Sequence, residues 1–217
     1  MTLAIFDLDN TLIAGDSDHL WGDWLVEKGI VDQQHYKDTN DQFYVDYQNG
    51  RLDIMAYLRF SLKVLAEHDM AQLHFWREQF LAEKLDAMWL PKAEALLQKH
   101  RDQGHTLMII TATNDFVTAP LADRLGVDHL IATVAECKRE RYTGNVAGIP
   151  SYRDGKVERL AEWLRANGES LEGSWFYSDS HNDLPLLNKV DNPVAVDPDA
   201  TLDREARERG WPVISLR

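Results

Sequence analysis

The chain has 217 residues, of which 44% are hydrophobic and 27% are charged. These proportions are close to the averages of folded soluble proteins, and the length allows one large domain or one domain with an insert. The net charge of -13 argues against nucleic acid as a partner, because nonspecific binding to nucleic acid depends on Lys and Arg side chains that neutralise phosphates.

The sequence also carries no sign of a membrane or an oxidising compartment. The single Cys137 cannot form an intramolecular disulfide. No apolar run approaches the roughly 18 residues that span a bilayer, and no basic segment precedes an N-terminal apolar stretch. We therefore expect a cytoplasmic protein with no membrane partner. The oligomeric state cannot be predicted from these features.

The first two predicted elements differ in kind. Residues 2–7 are apolar and are followed at once by polar turn residues, which is typical of a short buried strand. From Ser17 to about Leu85 the apolar residues recur at helical spacing, without a strand candidate and without Pro. This pattern predicts a cap of about four helices inserted after the first strand. We expect its aromatic residues mainly to form the core of the cap.

After the insert, strands and helices alternate. A helix between Pro91 and Gly104 returns the chain to the core domain. The pattern then predicts, in chain order, strand 106–112, helix 115–125, strand 129–134, a hairpin flap over 138–149, helix 155–167, strands 174–178 and 194–196, helix 199–209 and strand 212–215. Alternation of this kind predicts an α/β fold with a doubly wound parallel sheet. The predicted domains are a Rossmann-like core of residues 1–14 and 87–217 and an all-helical cap of residues 15–86.

Two carboxylates, Asp7 and Asp9, come directly after the first predicted strand. Ligands of open α/β sheets bind outside the carboxyl ends of the strands, and a carboxylate can act as a covalent nucleophile toward phosphorus. The pair is also compatible with an acidic loop that accepts hydrogen bonds from backbone N–H groups. Three further segments favour the chemical interpretation: Thr111 ends an apolar run, Lys156 opens a helical pattern, and an acidic cluster of residues 179–183 follows a predicted strand.

With these four segments in this order, the sequence resembles the haloacid dehalogenase superfamily of phosphohydrolases. The motifs of that superfamily are D-x-D-x-T, a Thr or Ser, a Lys and a closing acidic cluster. The long helical insert after the first motif is similar to that of the phosphoserine phosphatase-like branch. The second motif departs from that branch, because Thr111-Ala112-Thr113 stands where Ser-Gly-Gly is usual.

The resemblance implies a mechanism and a set of catalytic residues. Asp7 is the expected nucleophile, which forms an aspartyl phosphate, and Asp9 is the expected general acid and base. Thr111 and the N–H groups after it, beginning at Ala112, are expected to bind the phosphoryl group, and Asn182 to position it or a carboxylate. Thr11 is expected to fix the turn.

The acidic residues also predict a metal site, because a phosphoryl group would add negative charge to several carboxylates. Mg²⁺ takes oxygen ligands and commonly bridges a carboxylate and a substrate phosphate. The resemblance implies that its ligands are Asp7 and Asp179 through their side chains and Asp9 through its carbonyl, with Asp183 in or beside this shell. Helix capping is the alternative role of Asp179 and Asp183.

Lys156 is expected to balance the charge of the nucleophile and of the phosphoryl oxygens. A cation at a helix start opposes the helix dipole, so a second reason for its position is needed. The alternative is an ordinary solvated lysine.

Substrate choice is expected to depend on the loop that enters the cap. Asp16 corresponds to an acidic residue that contacts the substrate ammonium in phosphoserine phosphatases, although helix capping explains it equally well. Arg51 and Arg59 are available for a substrate carboxylate, and the cap aromatics favour a ring. The expected function is Mg²⁺-dependent hydrolysis of a small phosphorylated metabolite with an amine, such as histidinol phosphate or phosphoserine. A phosphotransferase or phosphomutase and a noncatalytic phosphate-binding module remain alternatives.

Overall fold

The computed structural model describes residues 2–217, which build one mixed sheet with helices on both faces. The strands are β1 (Leu3–Phe6), β2 (Thr106–Asn114), β3 (His129–Lys138), β4 (Arg141–Ala147), β5 (Trp175–Ser178), β6 (Asn192–Val196) and β7 (Val213–Ile214). The helices are α1 (Ser17–Glu27), α2 (Gln33–Gln48), α3 (Ile54–Ser61), α4 (Lys63–Glu67), α5 (Met70–Met88), α6 (Pro91–Asp102), α7 (Asp115–Leu125), α8 (Asp154–Asn167), α9 (Leu184–Leu187) and α10 (Ala200–Arg209). A short 3₁₀ turn, His181–Asp183, precedes α9.

The strand order is β4-β3-β2-β1-β5-β6-β7, and every neighbouring pair is parallel except β3 with β4. Alternate residues of a strand face opposite sides of a sheet. Phe6 therefore packs in one core cluster with Leu121 of α7, and Ile5 packs in the other with Leu160 of α8. Because both faces are covered, all four residues of β1 are buried. The predicted α/β fold with a doubly wound sheet is confirmed.

The insert after β1 is helical as predicted, but the described chain forms five helices there rather than about four. The difference arises at Leu62, where α3 ends and α4 begins. Trp21 and Trp24 stack at 5.4 Å between ring centroids and pack with Phe80 of α5. This cluster also includes Phe116 of α7, so the helices of the insert share an apolar interior with the core. The domain boundaries remain a prediction.

The prediction was wrong about where the hairpin begins. The strand predicted over 129–134 continues to Lys138, and it is itself the first arm of the hairpin, with Cys137 opposite Tyr142. Glu136 and Lys138 face solvent at this outer part of the sheet, so their polarity indicated a loop instead of a half-buried strand. In residues 2–217, no helix is long and apolar enough to cross a bilayer.

Candidate active site

The loop after β1 brings Asp7 against the last motif. The Asp7 backbone N–H donates to the carbonyl of Tyr177 at 2.9 Å, which continues the parallel pairing of β1 with β5. The Thr11 hydroxyl lies 3.3 Å from Asp7 Oδ2 and 3.2 Å from Asp179 Oδ1, and it accepts a bond from the Asp179 N–H at 3.1 Å. Thr11 thus fixes the two carboxylates relative to each other, in agreement with its predicted structural role.

Lys156 connects two buried carboxylates. Its Nζ lies 2.8 Å from Asp7 Oδ1 and 2.8 Å from Asp183 Oδ2, and Ser178 Oγ donates to the same Asp183 oxygen at 2.7 Å. Only 2% of Lys156 is exposed, so the alternative of a solvated lysine is wrong. Burial alone would lower the pKa of this lysine, but Asp183 and Asp7 outweigh it and raise the pKa. The side chain is therefore held as a cation beside the expected nucleophile.

Asp9 accepts hydrogen bonds from the first residue of α1 and from β2. Its Oδ1 accepts a bond from the Ser17 N–H at 2.6 Å, and its Oδ2 accepts a bond from Thr113 Oγ1 at 2.8 Å. Thr111 Oγ1 lies farther away, at 3.5 Å, and accepts a bond from the Thr113 N–H. Removal from water, together with the nearby charge of Asp16, raises the pKa of Asp9 to about 6.

Thr113 was missed from the sequence, although a signal was present. Residues two apart on a strand share a face, so a hydroxyl at 113 accompanies one at 111 while Ala112 points the other way. The prediction assigned β2 only as far as residue 112, and it therefore ended the strand before this second hydroxyl.

The carboxylates at the carboxyl ends of β1 and β5 outnumber the cations there. Asp7 and Asp183 share the ammonium of Lys156, whereas Asp9 is bonded to Ser17 and Thr113 and Asp179 to Thr11. Loss of water raises the pKa of Asp7 to about 7 and that of Asp179 well above its usual range, and the neighbouring acidic groups add to both shifts. An all-oxygen donor set with excess negative charge fits a hard divalent cation such as Mg²⁺.

The donor set also separates the acidic residues by position. Asp7 and Asp179 share the Thr11 hydroxyl, so their carboxylates lie on the same side of the site. The Asp183 oxygen nearest to Lys156 is already occupied by that ammonium and by Ser178. These contacts favour Asp183 as the residue that orients Lys156 rather than as a direct metal ligand.

Asn182 connects the core to the cap. Its Oδ1 accepts bonds from Tyr152 Oη at 3.1 Å and Arg153 Nε at 3.0 Å, and its Nδ2 donates to the carbonyl of Tyr47 at 3.1 Å. Arg153 also donates to the carbonyl of Gly50. The amide of Asn182 is thus satisfied without a substrate, and its predicted role in substrate binding stays a prediction. Sequence reasoning missed Tyr152 and Arg153, which carry no motif.

His181 is partly buried, and its Nδ1 lies 2.7 Å from Asp199 Oδ2. His181 begins the 3₁₀ turn and Asp199 caps α10, so the contact joins two elements that are separate in the sequence.

A pocket adjoins the carboxylates, with about 430 Å³ of empty space that is partly open to solvent. Ala112 and Thr113 form its border with the Asp9 region. Four half-buried aromatic side chains of the cap line it, namely Phe43, Tyr44, Tyr47 and Tyr57. The prediction that cap aromatics form the cap core therefore holds for Trp21 and Trp24, and Tyr57 also packs against their cluster, but it is wrong for Phe43, Tyr44 and Tyr47.

Two acidic residues at the start of α1, Asp16 and Asp18, also line the pocket. Asp16 caps α1, because its Oδ1 accepts bonds from the N–H groups of Asp18 and His19 at 3.0 and 2.9 Å. Asp16 therefore caps the helix and lines the pocket at the same time. Loss of water raises the pKa of Asp16 to about 6 and that of Asp18 to about 7. Among the described residues that line the pocket there is no Lys or Arg, and Arg51 and Arg59 are exposed outside it.

Comparison with known proteins shows the family of this chain. Residues 4–188 match the model of the haloacid dehalogenase-like hydrolases. The chain belongs to this family. It is 46% identical to a histidinol-phosphatase of Neisseria meningitidis over 219 residues, which cover 99% of each chain.

Two solved structures show how far the likeness extends. A protein of unknown function from Bordetella pertussis superposes with a TM-score of 0.93 at 41% identity, and all of both chains is covered. A substrate-bound phosphoserine phosphatase superposes with a TM-score of 0.73 at 16% identity, which covers 100% of this chain and 93% of that one and shows the fold alone. The predictions of the phosphoserine phosphatase-like branch, the fold and a phosphatase are confirmed.

Proposed function

We propose that the protein is a Mg²⁺-dependent phosphatase that hydrolyses histidinol phosphate. The observation that carries the proposal is the charge of the pocket beside Asp9, which contains two carboxylates and, among its described lining residues, no Lys or Arg. Histidinol phosphate presents an ammonium and an imidazole but no carboxylate. Phosphoserine would bring a carboxylate toward Asp16 and Asp18, where the basic side chain of the lining, His19, already contacts Asp41 at 2.9 Å, and this costs free energy.

Similarity supports the same substrate. The relative that shares 46% identity over its full length is named a histidinol-phosphatase. The half-buried aromatic side chains of the pocket also suit a planar ring, because they offer apolar surface with hydroxyl groups at its rim. Charge and shape thus favour the ring-bearing amine over the amino acid.

The proposed chemistry begins with Asp7. One carboxylate oxygen attacks the phosphorus, a P–O bond forms to Asp7, and the ester P–O bond breaks. Asp9 gives its proton to the departing alkoxide and then takes a proton from the water that attacks the aspartyl phosphate, which releases phosphate and frees Asp7. A pKa of about 6 allows Asp9 to carry the proton in one step and accept it in the next.

The remaining residues hold these two in place. Ser17 and Thr113 orient the Asp9 carboxylate, and Lys156 offsets the charge on Asp7 and on the transferring oxygens. Bound Mg²⁺, held by Asp7, Asp179 and the carbonyl of Asp9, would neutralise phosphoryl charge and orient the group for in-line attack. Asp183 positions Lys156 through its 2.8 Å contact.

The proposal is tested by the release of phosphate from three compounds in the presence of Mg²⁺: histidinol phosphate, phosphoserine and p-nitrophenyl phosphate. We expect kcat/KM for histidinol phosphate to exceed that for phosphoserine by about 100-fold or more, because an unpaired carboxylate in the pocket is strongly disfavoured. Equal values, or a preference for phosphoserine, would contradict the assignment. Transfer of the phosphoryl group to an added alcohol in preference to water would indicate a phosphotransferase instead.

A further inference from the structure

The two carboxylates of the pocket have different surroundings, although Asp16 caps α1 and Asp18 lies in its first turn. Asp16 is partly buried, and one of its carboxylate oxygens accepts hydrogen bonds from N–H groups of the helix. Asp18 is 6% exposed and is not needed as a cap, because Asp16 already fills that role. A second acidic side chain in the same buried place therefore calls for its own explanation.

Asp18 is held by side chains from two other elements. Asn114 Nδ2 donates to Asp18 Oδ1 at 3.2 Å, and the hydroxyl of Tyr57 hydrogen-bonds the same carboxylate. The orientation of Asn114 is fixed, since its Oδ1 caps α7 by accepting a bond from the Val117 N–H. The carboxylate is thus aimed by α3 and by the junction of β2 with α7.

The two hydrogen-bond donors to Asp18 are neutral, and they leave acceptor positions of its carboxylate unoccupied. An ionised carboxylate offers about four acceptor positions, and two neutral donors leave capacity for another. Burial of a carboxylate is costly, and it raises the pKa of Asp18 to about 7 although Tyr57 and His19 act in the opposite direction. His19, the basic group nearest in sequence, is directed to Asp41 at 2.9 Å instead. A structural role alone would be served at lower cost by an Asn.

We propose that Asp18 recognises the imidazole ring of the substrate by accepting a hydrogen bond from its N–H, while Asp16 binds the substrate ammonium. The inference rests on the proposed function and assigns one carboxylate of the pocket to each of the two nitrogen-bearing groups of histidinol phosphate. The aromatic ring of Tyr57 also lines the pocket, 5.4 Å from that of Phe43, so the same residue that aims Asp18 forms part of the wall against a bound ring.

The test uses a matched pair of substrates, histidinol phosphate and phenylalaninol phosphate. The two share the amine, the carbon chain and the phosphate, and only the first has a ring N–H. We expect the wild-type protein to prefer histidinol phosphate in kcat/KM, and Asp18→Asn to reduce that preference by about 10- to 100-fold, as expected for loss of a charge-assisted hydrogen bond. Asp16→Asn should lower kcat/KM for both compounds by similar factors and retain the preference.

One control and one further variant separate an effect on recognition from an effect on folding. Asp32→Asn removes an exposed carboxylate that caps α2 outside the pocket, and it should leave both values unchanged. Tyr57→Phe keeps the ring but removes one donor to Asp18, and it should reduce the preference in the same direction by a smaller factor. This second variant tests the inference even if Asp18→Asn does not fold.

The outcomes distinguish the inference from the function on which it rests. If the wild-type protein does not hydrolyse histidinol phosphate, the proposed function is wrong and the inference falls with it. If the wild-type protein hydrolyses both compounds equally, or if Asp18→Asn keeps the full preference, Asp18 does not read the ring while the histidinol phosphatase assignment stands.

Discussion

Individual residues of the site were predictable where chemistry and position coincide. Asp7, Asp9, Lys156 and Asp179 each stand at a strand end or a helix start, and the structure brings them together at one edge of the sheet. Their roles remain proposals. Tyr57, Asn114 and Arg153 could not be found in this way, because their importance comes from contacts between elements far apart in sequence.

His100 of α6 provides a test of burial at the residue scale. It is 1% exposed, with Nε2 2.8 Å from Tyr177 Oη and Nδ1 2.8 Å from His105 Nδ1. Burial, with the charges of His105 and Lys99, lowers its pKa from 6.5 to about 4. Between these two values the unfolded chain binds a proton at this position that the folded chain does not. The stability that His100 contributes is therefore present above pH 6.5 and is lost as the pH falls toward 4.

The predicted result is a pH-dependent difference between wild type and His100→Gln in urea unfolding. From pH 7 to pH 5 the wild-type free energy of unfolding should fall by about 2 kcal/mol relative to that of the variant. Buried carboxylates with raised pKa values act in the opposite direction, but both proteins contain them. Exposed His35→Gln should follow the wild type. Parallel pH profiles for wild type and His100→Gln would show that His100 does not stay neutral in the fold.

At the scale of elements, helical periodicity predicted the insert but not the direction that each helix faces. α1 and α5 bury aromatic residues against each other, whereas α2 presents Phe43, Tyr44 and Tyr47 to the pocket. An amphipathic pattern identifies an apolar face, and a pocket with a ring-binding wall gives the same pattern as a core. The extension of β3 was missed for a related reason, since its outer half is only partly covered.

We expect the helices of the insert to act as a lid, because the phosphoryl step must exclude bulk water and the hydrolytic step must admit one molecule. The end of α2 is fastened to the core by the bonds from Arg153 to the carbonyl of Gly50 and from Asn182 to that of Tyr47. Arg153→Met should weaken this closure by about 1 to 3 kcal/mol. Amide hydrogen exchange in residues 47–52 should become faster, and KM for the substrate should rise.

A matched control is Arg141→Met, which removes an exposed guanidinium from the β3–β4 hairpin. It should leave exchange at the end of α2 unchanged. If Arg153→Met also leaves it unchanged, the contact does not hold the lid closed.

On the scale of the whole molecule, a net charge of -13 opposes the binding of a phosphorylated substrate. The site has one buried lysine beside its carboxylates, and we propose that a divalent cation supplies the remaining positive charge. We expect chelation to abolish turnover and Mg²⁺ to restore it. Ca²⁺ should inhibit, because it prefers a larger shell and tends to take both oxygens of a carboxylate such as that of Asp7.

The same site predicts a change in stability that does not depend on turnover. At about 100 times its dissociation constant, Mg²⁺ should raise the free energy of unfolding by about 2.7 kcal/mol in the wild-type protein. Asp179→Asn should show much less stabilisation, and Asp102→Asn, an exposed substitution on α6, should show all of it. Full activity in excess chelator, or equal rates with Mg²⁺ and Ca²⁺, would count against this metal site.

The most direct test of covalent phosphatase chemistry at Asp7 is the hydrolysis of histidinol phosphate by purified wild type and Asp7→Asn in the presence of Mg²⁺. Thermal unfolding of both proteins confirms that each is folded. Wild type should release phosphate, and its acid-quenched peptide containing Asp7 should gain the mass of one phosphoryl group. Asp7→Asn should lose at least about 1,000-fold in kcat and show no adduct, because the nucleophile is gone while the shape is kept. Steady-state activity near that of wild type in Asp7→Asn would contradict the account.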